Sequence, residues 1–113
     1  MKVITKAIHE KLIKNHAALA ADPELDQAPV VKLFGGAACT WLLSDLDPET
    51  DMAFGLCDLG FGTPELGYVP MDELLSLRFP PFGLPIERDA WFKPNKTIFE
   101  YADMAREASR IVT

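Results

Sequence analysis

The sequence predicts an α+β fold, a single compact domain over residues 1–113 with an antiparallel sheet of about four or five strands and helices at both chain ends. Three observations carry this. Apolar residues recur at helical spacing in the first and last stretches. Short β-rich runs separated by turn residues fill the middle. A chain of 113 residues, 49% of them hydrophobic, suits one domain and a real core.

The elements follow in order. Thr5 is placed to cap a helix running to about Ala20, with Ile8, Leu12 and Leu19 facing the core. Residues 21–29, ADPELDQAP, hold two prolines and three acids and read as a loop. VVKLF (30–34) is a strand ended by Gly35-Gly36, ACTWLLSDL (38–46) a second and MAFGLCDL (52–59) a third. Between the last two, DPETD with Pro48 after Asp47 reads as a hairpin turn. Glu65–Val69 is a short strand. PMDELLSLR is a short helix with Pro70 at its start and Asp72 and Glu73 suited to its N-terminus. PIERDAWF forms the last strand. Thr97 and Glu100 are spaced as a capping box for a C-terminal helix whose apolar stripe includes Ile98, Ala105 and Ala108.

Composition excludes several classes. The net charge is −6, with +3 on residues 1–21 and +1 on residues 74–113. Residues 22–73 carry eleven acids against Lys32 alone, a net −10. This balance opposes nonspecific binding to a nucleic-acid backbone and suits solvated, acidic loops. No run is apolar and long enough to span a membrane, and MKVITKAIHEKLIK lacks the pattern of an export leader. Cys39 and Cys57 have no metal-ligand spacing, so they are expected as reduced, buried thiols in a cytoplasm.

Residues 83–94, GLPIERDAWFKP, place three charges inside an apolar stretch. On a strand, Ile86 and Arg88 share one face, and Glu87, Asp89 and Trp91 the other. Arg88 then lands on the apolar side, where a guanidinium needs a carboxylate or several carbonyls. Glu65 is the expected partner, with Asp58 and Glu10 as alternatives. The pair is read either as a structural lock between strands or as a grip on a phosphate or carboxylate. Glu87 and Asp89 would lie about 7 Å apart at about 3.3 Å per residue. Without a third ligand they read as an exposed strand face rather than a metal or acid–base pair.

The remaining constellations are weaker. His9 and His16 lie two turns apart on the first helix, about 10 Å. That is far for one phosphodiester, and a solvated basic face explains them. DLDPETD has Thr50 and Leu56 where a calcium loop needs Gly and Glu. Gly35-Gly36 and GFG match no nucleotide cradle. Trp41 reads as core, and Tyr68 as an amphipathic ring at the core edge; on a single-stranded nucleic-acid platform such rings would stack bases. No metal site and no cofactor is expected.

Ile4-Thr5-Lys6, VVKLF, TW with DPET, FGLCD, PELGY, GLPIERD and the downstream Phe92-Lys93-Pro94 together resemble the bacterial domain of unknown function 2958, nearly end to end. PELGY and LPIERD are the most specific. The resemblance implies an α+β domain and a place on mobile DNA, that is, plasmids, conjugative elements and phages. Two functions are carried forward. The first is an accessory protein of such elements that engages a protein partner through an acidic surface. The alternative is a small single-stranded RNA endonuclease using Arg88 with Glu65 or the histidines. The residues expected to bind are Arg88, Glu65, Glu87, Asp89, Tyr68 and Trp41.

Overall fold

Thr5 opens the first helix as expected. In the computed structural model, which describes residues 2–113, its hydroxyl accepts from the Ile8 amide at 3.2 Å and α1 runs Lys6–Ala21. Five strands then build an antiparallel sheet: β1 (Val31–Gly35), β2 (Cys39–Leu46), β3 (Met52–Asp58), β4 (Glu65–Pro70) and, later in the chain, β7 (Glu87–Arg88). Their spatial order is β4-β3-β2-β1-β7. A short helix α2 (Met71–Ser76) follows β4, and α3 (Ile98–Ala108) ends the fold. Both halves of the predicted capping box form between Thr97 and Glu100. The expected α+β class, antiparallel sheet and terminal helices are all present.

The sheet is covered on both faces. Trp41, Leu43 and Leu46 of β2 pack with Leu12 of α1, Met71 and Leu74 of α2, and Ile86. Leu42 and Leu56 turn the other way, against Ile98, Tyr101, Ala102 and Ala105 of α3. The central strand β2 is therefore buried on both sides and shows no polar alternation. Its pairing with β3 slips between Leu43 and Asp45, leaving Ser44 as an extra residue in a bulge. Gly55 sits across from Leu43, where a Cβ would overlap the Leu42 carbonyl oxygen. Glycine is required there by the close approach of the two backbones.

The predicted last strand, PIERDAWF, is broken. Leu84–Pro85 (β6) pairs with Arg78–Phe79 (β5) in a separate hairpin, and only Glu87–Arg88 joins the main sheet beside β1. Pro85 explains the break at its start, since it lacks the amide that a continuous ladder needs. Arg88 pairs with Leu33 and so lies on the α1 face, the apolar side that alternation predicts.

The expected partner of Arg88 is wrong. Glu65 lies in β4 and Arg88 in β7, at opposite edges of the sheet. Arg88 Nη1 instead donates to the Lys2 and Val3 carbonyl oxygens at 3.1 and 3.0 Å. The guanidinium ties the segment before α1 to the sheet edge. The other candidates are occupied elsewhere: Asp58 accepts from the Gly60 and Ile111 amides, and Glu10 faces Lys6 at 3.9 Å. The cysteines are unpaired and half-buried rather than fully buried. Burial pushes the Cys57 thiol up to about 11.

Candidate functional site

A cleft of about 410 Å³ opens where the end of α1, residues 22–30, the bulged part of β2 and the start of α3 meet. Its volume falls in the range of small-ligand clefts. Local sequence explains the walls. After α1 stops, residues 22–27 alternate: Pro23, Leu25 and Gln27 line the cleft, while Asp22, Glu24 and Asp26 between them are exposed. Asp26 then fixes the far wall. One carboxylate oxygen accepts the Thr97 hydroxyl at 2.6 Å and the other the Phe99 amide at 3.2 Å, at the start of α3.

Phe54, Tyr68 and Phe99 join Leu19, Pro23, Leu25 and Ile98 in the apolar surface. Phe54 and Tyr68 face each other across β3 and β4 with centroids 5.1 Å apart at 56°. Tyr68 is 70% exposed and Phe99 46%. Tyr68 is thus a surface ring rather than one lodged at the core edge.

The polar end is built on His16. Its Nδ1 lies 3.3 Å from Asp45 Oδ1 and its Nε2 3.8 Å from Asp47 Oδ2. The bulge at Ser44 turns Asp45 toward this position, and the Ser44 hydroxyl donates to Asp45 Oδ2 at 3.3 Å. Asn15, one residue before His16, donates to the Ser44 carbonyl at 2.9 Å and anchors the helix there. Burial raises the Asp45 carboxyl above the ordinary carboxylate range, opposed by its bonds from His16 and Ser44. Asp47 is held below that range, first by the Glu49 amide it accepts from. The Gln27 amide donates to the Asn15 carbonyl at 3.2 Å, and its buried Oε1 has no partner.

This arrangement holds a cation better than an anion. The charged groups at His16 are two carboxylates, and no lysine or arginine lines the cleft. A phosphate would meet Asp45 and Asp47 with no base to offset them. Among the described residues no group of three or more His, Cys, Asp or Glu side chains is placed to hold a metal ion.

The structure scatters the residues singled out in the sequence. Of the six residues expected to bind, Tyr68 alone joins the cleft, and of the two histidines His16 does. Trp41 is 3% exposed beneath α1, so no ring face is open to a ligand. Glu65 is exposed on the β4 edge. Glu87 is exposed beside Phe34, while Asp89 lies 3.6 Å from Lys32 and accepts the Trp91 amide. His9 is exposed in a second, shallower cleft with Asp51 and Asp72, and His16 is not on a solvated basic face as expected. Sequence reading missed the His16–Asp45 pair. One signal was available: Ser44-Asp45 interrupts an otherwise apolar strand, and such a carboxylate needs a partner.

Among the described residues no helix is long and apolar enough to cross a membrane. Searches of curated proteins and of solved structures return no match. A family model does match, over residues 3–112, and covers every element above. The chain belongs to the family described as protein of unknown function, DUF2958.

Proposed function

We propose that this chain is an accessory protein-binding module of mobile genetic elements, and that its partner seats an apolar side chain from a basic segment in the cleft. One observation carries this reading: apolar Pro23, Leu25, Tyr68 and Phe99 line a cleft whose rim holds acids and no lysine or arginine. Apolar anchors supply affinity at such sites, and complementary charge supplies orientation and rate.

The test compares the unaltered chain with Leu25→Asp and Glu24→Lys, each checked for folding by circular dichroism. All are used as bait in lysates of cells that carry the parent element. A partner retained by the unaltered chain, lost by Leu25→Asp and weakened by Glu24→Lys supports the reading. Equal retention by all three overturns it.

The single-stranded RNA endonuclease is the second reading, favoured only by His16 standing beside Asp45 at an aromatic cleft. General acid–base cleavage needs a second proton-transfer group and a counter-charge for the phosphate. His9 and Arg88 lie outside this cleft. Cleavage of labelled single-stranded RNA that disappears in folded His16→Ala would put this reading first.

A further inference from the structure

The sheet has two edges, and they differ. β7 closes one side with only two residues, Glu87 and Arg88. β4 closes the other with six, in unbroken register with β3 from Glu65 to Pro70. Every second residue of an edge strand directs its amide and carbonyl away from the sheet. Proteins blunt such edges with lysines, bulges, mid-strand prolines or short length. β4 has no lysine and no bulge, and its only proline is its last residue. The space where a Cβ at Gly67 would lie is open.

Charge selects the occupant. From Leu33 to Leu77 the chain holds eight acids and no lysine or arginine, and β2, β3, β4 and α2 all fall within it. A second copy would bring the same acidic stretch against itself. A basic strand would find opposite charge at Glu65, at one end of the edge, and at Asp72 and Glu73, just past the other.

The edge also continues into the cleft. Tyr68 belongs to β4 and forms a cleft wall with Phe54. A strand added outside β4 would carry alternate side chains on the α3 face, beside that ring. We propose that the basic segment of the partner docks by adding as a strand to the free edge of β4, with its α3-face side chains directed past Tyr68 into the cleft. This rests on the protein-binding reading above and adds how the partner binds.

The probes are three ten-residue peptides with blocked ends: alternating lysine and valine, alternating glutamate and valine, and the lysine peptide N-methylated at two adjacent central residues. Double methylation leaves neither peptide edge able to pair. Binding is read by fluorescence anisotropy, and amide hydrogen exchange is followed in β4. The proposal expects the lysine peptide to bind at least about tenfold tighter than either control, a difference of about 1.4 kcal/mol. It also expects slowed exchange at the amides of residues 65–69 that face outward. Equal binding of the methylated peptide overturns strand addition. So does failure of the lysine peptide to bind. Protection of β4 in a chain that sediments as a dimer without peptide also overturns the proposal, with a second copy as the occupant. Leu25→Asp separates the two readings. A captured partner lost in that variant, together with no edge pairing by the lysine peptide, sinks the edge proposal and leaves the cleft reading standing. Edge pairing unchanged in Leu25→Asp, with no partner lost, sinks the cleft reading and keeps the edge.

Discussion

Arg88→Met separates a structural arginine from a ligand-gripping one. Methionine keeps an unbranched apolar stem and removes only the guanidinium. The loss is two hydrogen bonds, to the carbonyl oxygens of Lys2 and Val3 at 3.1 and 3.0 Å. A hydrogen bond to a charged group contributes about 1.5–3 kcal/mol when shielded. The Lys2 bond is exposed and the Val3 bond partly buried, so the sum is discounted to about 1–3 kcal/mol. For a chain of this length each kcal/mol moves Tm by about 4 °C, so the variant should melt about 4–12 °C lower. Differential scanning calorimetry measures this, and hydrogen exchange should show faster exchange in the first turn of α1. Partner capture per folded molecule should be unchanged. An unaltered Tm combined with lost capture would refute the structural assignment and return Arg88 to the binding surface.

Other perturbations test the rest of the framework. The Asp45 carboxyl is raised by burial, so the folded state holds its proton over a pH range where the unfolded chain, near about 3.9, has released it. Its contribution to stability is complete below the unfolded value and lost as pH rises through the folded one. Relative to Asp45→Asn, the unaltered chain should therefore lose urea resistance as pH rises above the unfolded value; a relative gain would contradict the burial argument. Gly55→Ala forces a methyl into the Leu42 carbonyl and should cost at least about 2 kcal/mol in urea unfolding. Thr97→Ala removes the α3 cap and the hydroxyl that Asp26 accepts, and should cost about 1–2 kcal/mol by the same measurement.

The fold was legible wherever local chemistry decides it. Thr5, Thr97 and Glu100 mark helix starts because a cap acts within one turn. The hairpin at Asp47–Asp51 was legible for the same reason, with its turn closed by the Asp51 amide on the Asp47 carbonyl. What stayed hidden was long-range. Alternation put Arg88 on the correct face but could not say that β7 joins β1 while β4 takes the opposite edge. The Glu65 pairing failed on strand order alone. The cleft was hidden likewise, because His16 and Asp45 are 29 residues apart and meet only through the Ser44 bulge.

Net charge is a poor guide to which acids a partner would meet, and the hydrogen bonds show why. Each of the nine aspartates accepts a hydrogen bond from the chain, most from a backbone amide one or two residues on or from a neighbouring element. The short side chain returns to the local backbone, which is what turns and helix starts require. The longer glutamates do so less. Of the four glutamates in the acidic segment 22–73, namely Glu24, Glu49, Glu65 and Glu73, all are exposed and their side chains make no hydrogen bond or ion pair among the described residues. The aspartates keep their charge but hold it in place, and the four glutamates are the acids whose side chains are free to turn toward a basic partner. Changing these four to glutamine should leave urea stability within about 0.5 kcal/mol, as for ordinary surface substitutions. It should also slow association with the alternating lysine–valine peptide and flatten its salt dependence, read by stopped-flow fluorescence at two ionic strengths. Association that keeps its rate and salt slope in the quadruple variant would move the steering charge to the aspartates, and with it the docking surface.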